Sequence, residues 1–403
     1  MKIIEGHNIP IYSWCNELKE KALEQAINLA NHPKAVEHVS LMPDCHMGYG
    51  MPIGGVVAVK DVVIPNCTGM DIGCGMSFIQ TNILYDVIKD VTTAGGKKSL
   101  LQTIIDTWSR KIPVGFSHHR SKQRSLLLDN PPENVSDIPV IKENLEKAKY
   151  QLGTLGSGNH YCEVQLDEHN NICIMLHSGS RNFGYKIADY YNKIAIETTP
   201  EIDPKWELNY LPLDSKDGND YMLAMNFALD FAKANREHMM EKAKSILLNL
   251  IKKHTGHTGI ELKDEINIHH NFAAIETHFG KDVMIHRKGA TQAFKEQLGI
   301  IPGSMGTSSY IVKGKGNPDS FKSCSHGAGR LMGRNQFNKT HTLEECEKAM
   351  EGIIHSEWGK DRKGKTDLSE SPQAYKDIDQ VIKNQNDLVD VVIKLKPIAV
   401  LKG

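Results

Sequence analysis

Asp71 and Cys74, spaced D-x-x-C in GMDIGCGM, offer a carboxylate and a thiol on one glycine-flanked turn. Three further stretches place imidazoles beside glycine or at the end of an expected strand. They are His160 after Asn159 in GTLGSGNH, His177 in IMLHSGSR, and His269 and His270 before Asn271 in INIHHNF. A carboxylate, a thiolate and several imidazoles form a ligand set for a divalent transition ion, and a thiolate can bridge two such ions. His326 in CSHGAGR is a different kind of candidate. A histidine among small residues can bind a metal, steady a phosphate, attack as a nucleophile or simply face water, and its local sequence leaves all four open. The chain carries 19 histidines in 403 residues, an excess that directs attention to imidazole chemistry.

Phosphate recognition is the second theme. GTLGSGNH, PGSMGTSS and HGAGR each present approachable backbone N–H groups with small neighbours, features that suit an anion. None is a Walker A motif, and none is a G-x-G-x-x-G between a strand and a helix. Three such stretches, two of them with histidine, favour a nucleotide or a phosphodiester over ordinary tight turns.

The elements that must position these residues are mixed. An amphipathic helix is expected over 16–32, another over 139–151, a long one over 217–254 and a shorter one near 342–354. Residues 36–80 alternate β-branched runs with glycine-dense turns and read as short strands and loops, with functional residues on the loops. HYCEVQLD and ICIMLHS, joined by EHNN, read as a hairpin. More short strands are expected over 266–315, and a helix and strand close the chain. Without regular βαβ alternation the expected class is α+β, and no fixed-period repeat is present. The LLLDNPPENVSDIP stretch is the strongest candidate boundary, yet site candidates fall on both sides of it, so a single domain over 1–403 is expected.

Composition narrows the function classes. The net charge of -1 offers no global positive field, so any nucleic-acid site must be a local patch; SHHRSKQR (117–124) is a candidate, with a solvated loop as the equal alternative. The eight cysteines are scattered, which favours free thiols or single ligands over a disulfide framework. No apolar run reaches the length of a membrane span and the first residues lack the apolar core of a signal peptide; a cytoplasmic protein without membrane contact is expected.

The blocks GMDIGCG, GTLGSGNHYCEV, LHSGSR, HHN, IPGSMG, SHGAGR, AYKDID and the terminal LKG resemble, in order, the signature blocks of the RtcB family of RNA ligases. The resemblance runs from about residue 40 to the last glycine. It implies a single mixed domain that is neither Rossmann nor P-loop. It also implies an enzyme that joins an RNA 3′-phosphate or 2′,3′-cyclic phosphate to a 5′-hydroxyl, in tRNA splicing or RNA repair, with GTP and two manganese ions. On that resemblance the metal ligands are Asp71, Cys74, His160, His177 and His270, and His326 is the nucleophile that takes GMP from GTP. The guanylate pocket draws on Asn159, Glu163, Ser309, Tyr375 and Lys402 with the turns holding Gly327 and Gly329. Asp44 assists proton transfer and Arg181 holds an RNA phosphate. No ligand or nucleophile position departs from the pattern, although Cys45 sits where members vary. An accessory activator protein is left open.

Chemistry supports these roles. An imidazole of ordinary pKa is largely neutral near pH 7 and so able to attack, and a metal pair neutralises charge growing on the α-phosphate. Small residues beside His326 give a nucleotide clearance, Arg330 can add charge-assisted hydrogen bonds, and Glu163 can accept from a guanine N–H edge. Lys402 requires the end of the chain to fold back into the site. The main rival is a metal-dependent RNA phosphoesterase, which needs the ligands but no covalent histidine; another is a silent RNA-binding protein.

Overall fold

The computed structural model describes residues 1–93, 95–263, 265–360 and 364–403. Among them, two sheets carry the site. In the larger, the strands Ile266–His269, Gly75–Leu84, Asn171–Ser178, Tyr161–Leu166 and Val389–Lys402 lie side by side, each antiparallel to the next. The smaller runs from Lys2–Ile4 through Ile11–Ser13, Ala35–Tyr49, Met51–Val59 and Lys281–Lys288 to Asn271–His278. His270 is the single residue between Ile266–His269 of one sheet and Asn271–His278 of the other, so the two sheets meet at a candidate ligand.

The expected hairpin forms as Tyr161–Leu166 against Asn171–Ser178. Its turn is set by Asp167, whose carboxylate accepts the N–H groups of His169 (2.9 Å) and Asn171 (2.8 Å). The helices Glu20–Ala30, Pro139–Gln151 and Lys216–Thr255 match the expected ones within a turn. The last is capped by Ser215, which accepts from Gly218 N–H, and stops at Gly256 in the left-handed region. On its buried face Tyr221, Ala224, Ala228 and Phe231 join the apolar cluster of Phe183, Tyr191 and Leu29, while Met239, Ala243 and Leu247 further along pack with Ile174 and Leu176 of the larger sheet.

Three expectations change. The helix near 342–354 ends at Ala349; the capping box of Thr342 and Glu345 starts it, and the chain then turns into the strand Ile354–His355. Residues 36–59 are two long paired strands, Ala35–Tyr49 and Met51–Val59, rather than short strands and loops. Register shifts between Leu41 and His46 accommodate the glycines, and Asp44 sits in that irregular stretch, not on a loop. The helices Leu100–Lys111 and Arg181–Thr198 were not expected. In the LLLDNPPENVSDIP stretch, Leu128 and Val135 are buried in the same apolar cluster as Leu29, Ile141 and Phe231. No helix among the described residues is long and apolar enough to cross a membrane.

Candidate active site

Five adjacent strands end at one edge of the larger sheet, and each delivers one residue there. His270 follows Ile266–His269, Cys74 precedes Gly75–Leu84, His177 lies next to the end of Asn171–Ser178, His160 precedes Tyr161–Leu166, and Lys402 ends Val389–Lys402. Antiparallel pairing makes starts and ends alternate along that edge, which is how residues a hundred positions apart converge.

Cys74 is the hub. Its Sγ lies 3.4 Å from His160 Nε2 and 3.3 Å from His177 Nε2. His177 Nε2 is 3.4 Å from His270 Nε2, and His160 Nε2 is 3.2 Å from Asp71 Oδ2. Two three-donor groups result, Asp71–Cys74–His160 and Cys74–His177–His270, sharing the one thiol. The other ring nitrogens fix the orientation: His160 Nδ1–H donates to Leu155 O (2.9 Å) and His177 Nδ1–H to Asn159 O (3.1 Å). That assignment turns both Nε2 lone pairs toward Cys74, the arrangement of a histidine prepared for a metal. Burial, followed by neighbouring imidazoles, holds the pKa of His177 and His270 well below the ordinary value, so both are neutral donors. Burial, then Asp71, pushes the Cys74 thiol up. A divalent cation reverses that and takes the thiolate. The donor chemistry of both groups therefore fits divalent transition-metal binding, with Cys74 common to the two.

Arg236, which sequence reasoning missed, braces this cluster. Its fully buried Nη1 donates to Gly73 O (2.8 Å) and Ser178 O (3.0 Å), tying the Cys74 turn to the end of the His177 strand. Nothing distinguishes it in the sequence from other arginines on a long helix.

His326 stands beside the cluster without joining it. Its ring meets that of His270 edge to face, with centroids 4.8 Å apart. On its other flank, Nδ1 lies 2.7 Å from Asp44 Oδ2 without the alignment of a hydrogen bond, a close electrostatic contact. Asp44 Oδ2 also accepts the backbone N–H groups of His326 and Gly327, each at 3.2 Å. Burial opposes ionisation of Asp44, but His326, together with His46 and Lys376, outweighs it and holds the carboxyl below its usual range.

A cavity of about 240 Å³ opens on His326 and is lined by Asn159, His177, Gly327, Gly329, Tyr375 and Lys402 among others. Glu163 and Ser309 are not in that lining; Gln165 bridges them, donating to Glu163 Oε2 (2.8 Å) and Ser309 Oγ (3.2 Å). Glu163 Oε1 is buried without a partner, and burial pushes its pKa up to about 8.

Glu370, also missed, organises the cavity wall. It receives Lys402 Nζ (3.3 Å), Tyr375 OH (2.5 Å), Arg330 Nη1 (3.2 Å) and Arg334 Nε (3.1 Å). Burial opposes its charge, but Lys402, Arg334 and Arg330 together bring its pKa down to about 2. Arg330 lines the cavity and is held in this scaffold by further bonds to Ser369 O (2.7 Å) and Met332 O (3.2 Å). Gly329, at φ +75°, is also required by its packing: a Cβ there would stand 2.2 Å from Asp44 O. Gly156, at φ +100°, is fixed likewise, since its Cβ would meet Arg181 Nη1 at 2.2 Å and His160 Nδ1 at 2.6 Å. Arg181 is thus held beside the candidate metal ligands, bonded to Thr154 Oγ1 (3.1 Å) and Gly115 O (2.9 Å). His46, whose Nδ1–H donates to Asp44 O at 2.9 Å, lines the cavity as well and was not anticipated.

The family model for the tRNA-splicing ligase RtcB matches residues 25–135 and 133–403. The chain belongs to the RtcB family. Among curated relatives, the RNA-splicing ligase RtcB of Escherichia coli K12 is 36% identical across 100% of this chain and 99% of its own length. The tRNA-splicing ligase RtcB of Nanoarchaeum equitans is 32% identical, covering 98% of this chain and 96% of its own. The RNA-splicing ligase RtcB of Mycobacterium tuberculosis is 31% identical over 94% of this chain and all of its own. As an RtcB member the chain has the mixed α+β architecture expected of it, with neither a Rossmann nor a P-loop unit.

Proposed function

We propose that this RtcB-family chain is an RNA ligase that joins 3′-phosphate or 2′,3′-cyclic phosphate ends to 5′-hydroxyl ends, using GTP and two manganese ions, through guanylate carried on His326. The observation that carries the reading is the position of His326 between Asp44 and His270: a five-residue donor cluster closes without it, which frees the imidazole for covalent work. Family membership and the names of the curated relatives support the RNA-joining activity.

Held by Asp71, Cys74, His160, His177 and His270, manganese would neutralise negative charge on the reacting phosphate. The residues of the chain do the rest. His326 Nε2 attacks the α-phosphorus of GTP; a P–N bond forms and the bond to the pyrophosphate oxygen breaks. Asp44 stays ionised beside Nδ1 and stabilises the positive charge the ring acquires. An oxygen of the RNA 3′-phosphate then takes the guanylate, returning the electron pair to His326. The 5′-hydroxyl attacks that activated phosphate, loses its proton and releases GMP. A cyclic end is first opened by water. Asn159, Glu163, Ser309, Tyr375, Lys402 and the backbone of Gly327 and Gly329 bind GMP, while Arg181 holds an RNA phosphate. We read residues 1–403 as one catalytic domain. The setting is tRNA splicing or RNA repair in the cytoplasm; eight buried free cysteines suit a reducing compartment.

Radiolabelled GTP, added with manganese and followed by denaturing electrophoresis, tests the assignment. The chain should retain label and His326→Ala should not. Removal of RNA 3′-phosphates with no label retained would instead establish a phosphoesterase.

A further inference from the structure

A cleft of about 690 Å³ runs along the helix Lys216–Thr255 and shares no lining residue with the cavity at His326. Lys111, Arg124, His238 and Lys242 line it, with Glu237 and Glu241. Both acids have lysine partners on their own helix: Glu237 pairs with Lys233 (3.8 Å) and Glu241 with Lys244. Among the described residues, Lys111, Arg124 and Lys242 form no ion pair. Lys242 and Lys111 lie close enough for their like charge, after burial, to lower the pKa of Lys242.

The cleft leads toward the metal ligands. His119 Nε2–H donates to Gly153 O (3.1 Å), and a Cβ on Gly153 would lie 3.4 Å from both His119 and His238. The next residue, Thr154, receives Arg181 Nε, and Arg181 stands beside His160. Gly115 O accepts from Arg181 Nη2, and its neighbour Phe116 is 84% exposed. From Ala234 to Ser245 the lining spans about 16 Å of helix.

We propose that this cleft, with Phe116 at its active-site end, binds the sugar-phosphate backbone of single-stranded RNA leading to the end being joined. The inference rests on the RNA-ligase reading. A groove of unpaired cations that tracks a backbone, next to an exposed aromatic ring on which a base can stack, is the combination that binds single strands regardless of sequence. An acidic peptide would satisfy the cations but leave Phe116 without a role.

The test uses the full chain and two probes with 3′-phosphates, a dinucleotide and a strand of about twelve nucleotides, in anisotropy measurements across a salt series. Labelling of His326 by GTP, which needs no RNA, reports that each variant is folded. Lys111→Ala/Arg124→Ala/Lys242→Ala should bind the longer strand roughly tenfold more weakly and lower the salt slope by about 2, with dinucleotide binding unchanged. Phe116→Ala should weaken the longer strand at least about fivefold without altering that slope. Glu237→Gln/Glu241→Gln should tighten it, a gain that misfolding cannot mimic. Wild-type affinity and slope in the triple variant, or equal losses for both probes, would overturn the cleft assignment alone. Wild-type chain that takes label from GTP but binds neither probe would overturn the RNA reading and the cleft with it. Phe116→Ala indistinguishable from wild type, alongside a weakened triple variant, would overturn the stacking step and leave the cleft as a purely electrostatic track for the backbone.

Discussion

Asp44 and His326 are 282 residues apart in sequence, yet Oδ2 of one lies 2.7 Å from Nδ1 of the other and accepts the backbone N–H of His326 at 3.2 Å. The carboxylate thus grips both the ring and the peptide of the proposed nucleophile. Asp44→Asn keeps an oxygen for the two backbone donors but removes the charge that stabilises the ring as it becomes cationic. Guanylylation by GTP should fall between about 100- and 10,000-fold while the melting temperature changes little. An unchanged labelling rate would show that Asp44 only packs the loop.

Cys74 is shared by both donor groups, so its loss should affect both ions rather than one. Cys74→Ser is expected to lower manganese affinity more than about 100-fold, measured by calorimetry. Because the buried thiol is protonated without a cation and His177 and His270 are already neutral, binding should release about one proton per chain near pH 7. Titration in buffers of different ionisation enthalpy reads that proton directly, and Cys74→Ser should abolish it.

Lys402 meets Glu370, and the N–H of Gly403 donates to His160 O at 3.0 Å. Lys402 and Gly403 therefore touch the cavity at His326 and a candidate metal ligand at once. Deleting residues 402 and 403 should sharply reduce guanylylation. Glu370→Gln leaves Lys402, Arg330 and Arg334 facing one another without their anion, and should cost about 3–5 kcal/mol in denaturant unfolding. Full activity in the truncated chain would refute the role given to Lys402.

Glu163 carries a pH signature. Its folded pKa, near 8, is raised from 4.5 chiefly by burial, so the neutral acid is the form the fold prefers. Its contribution to stability is full below about pH 4.5 and is lost as pH rises toward 8. Glu163→Gln should therefore gain on wild type between pH 5 and 8.5, by a few kcal/mol at most, in melts at the two pH values. The same substitution should weaken the preference for GTP over ATP in the labelling assay by about 10-fold or more. A stability difference that does not move with pH would place the carboxyl in a wetter environment.

The chemistry was legible in the sequence because it resides in residue types and their immediate neighbours. D-x-x-C, the histidines beside glycine, and the order of the blocks carried the ligand set, the proposed nucleophile and the family. The hairpin and the long helix were legible too, since turn residues, caps and periodicity are local signals. Glycines beside Asp44 suggested loops, because bulges in paired strands leave the same mark as turns. Gly329 and Arg330 both line the cavity, and the contacts that hold them there, with Asp44 and with Glu370, were not legible in the sequence.

What only the tertiary structure decided is convergence. Antiparallel pairing of five strands brings His270, Cys74, His177, His160 and Lys402 to one edge, and no spacing along the chain encodes which strands become neighbours. Arg236 and Glu370 acquire their roles in the same way, as buried charges whose partners come from distant segments. Sequence fixes the donors that are available; long-range hydrogen bonding and burial determine which of them face each other, because those energies depend on contacts between residues that are remote until the chain has folded.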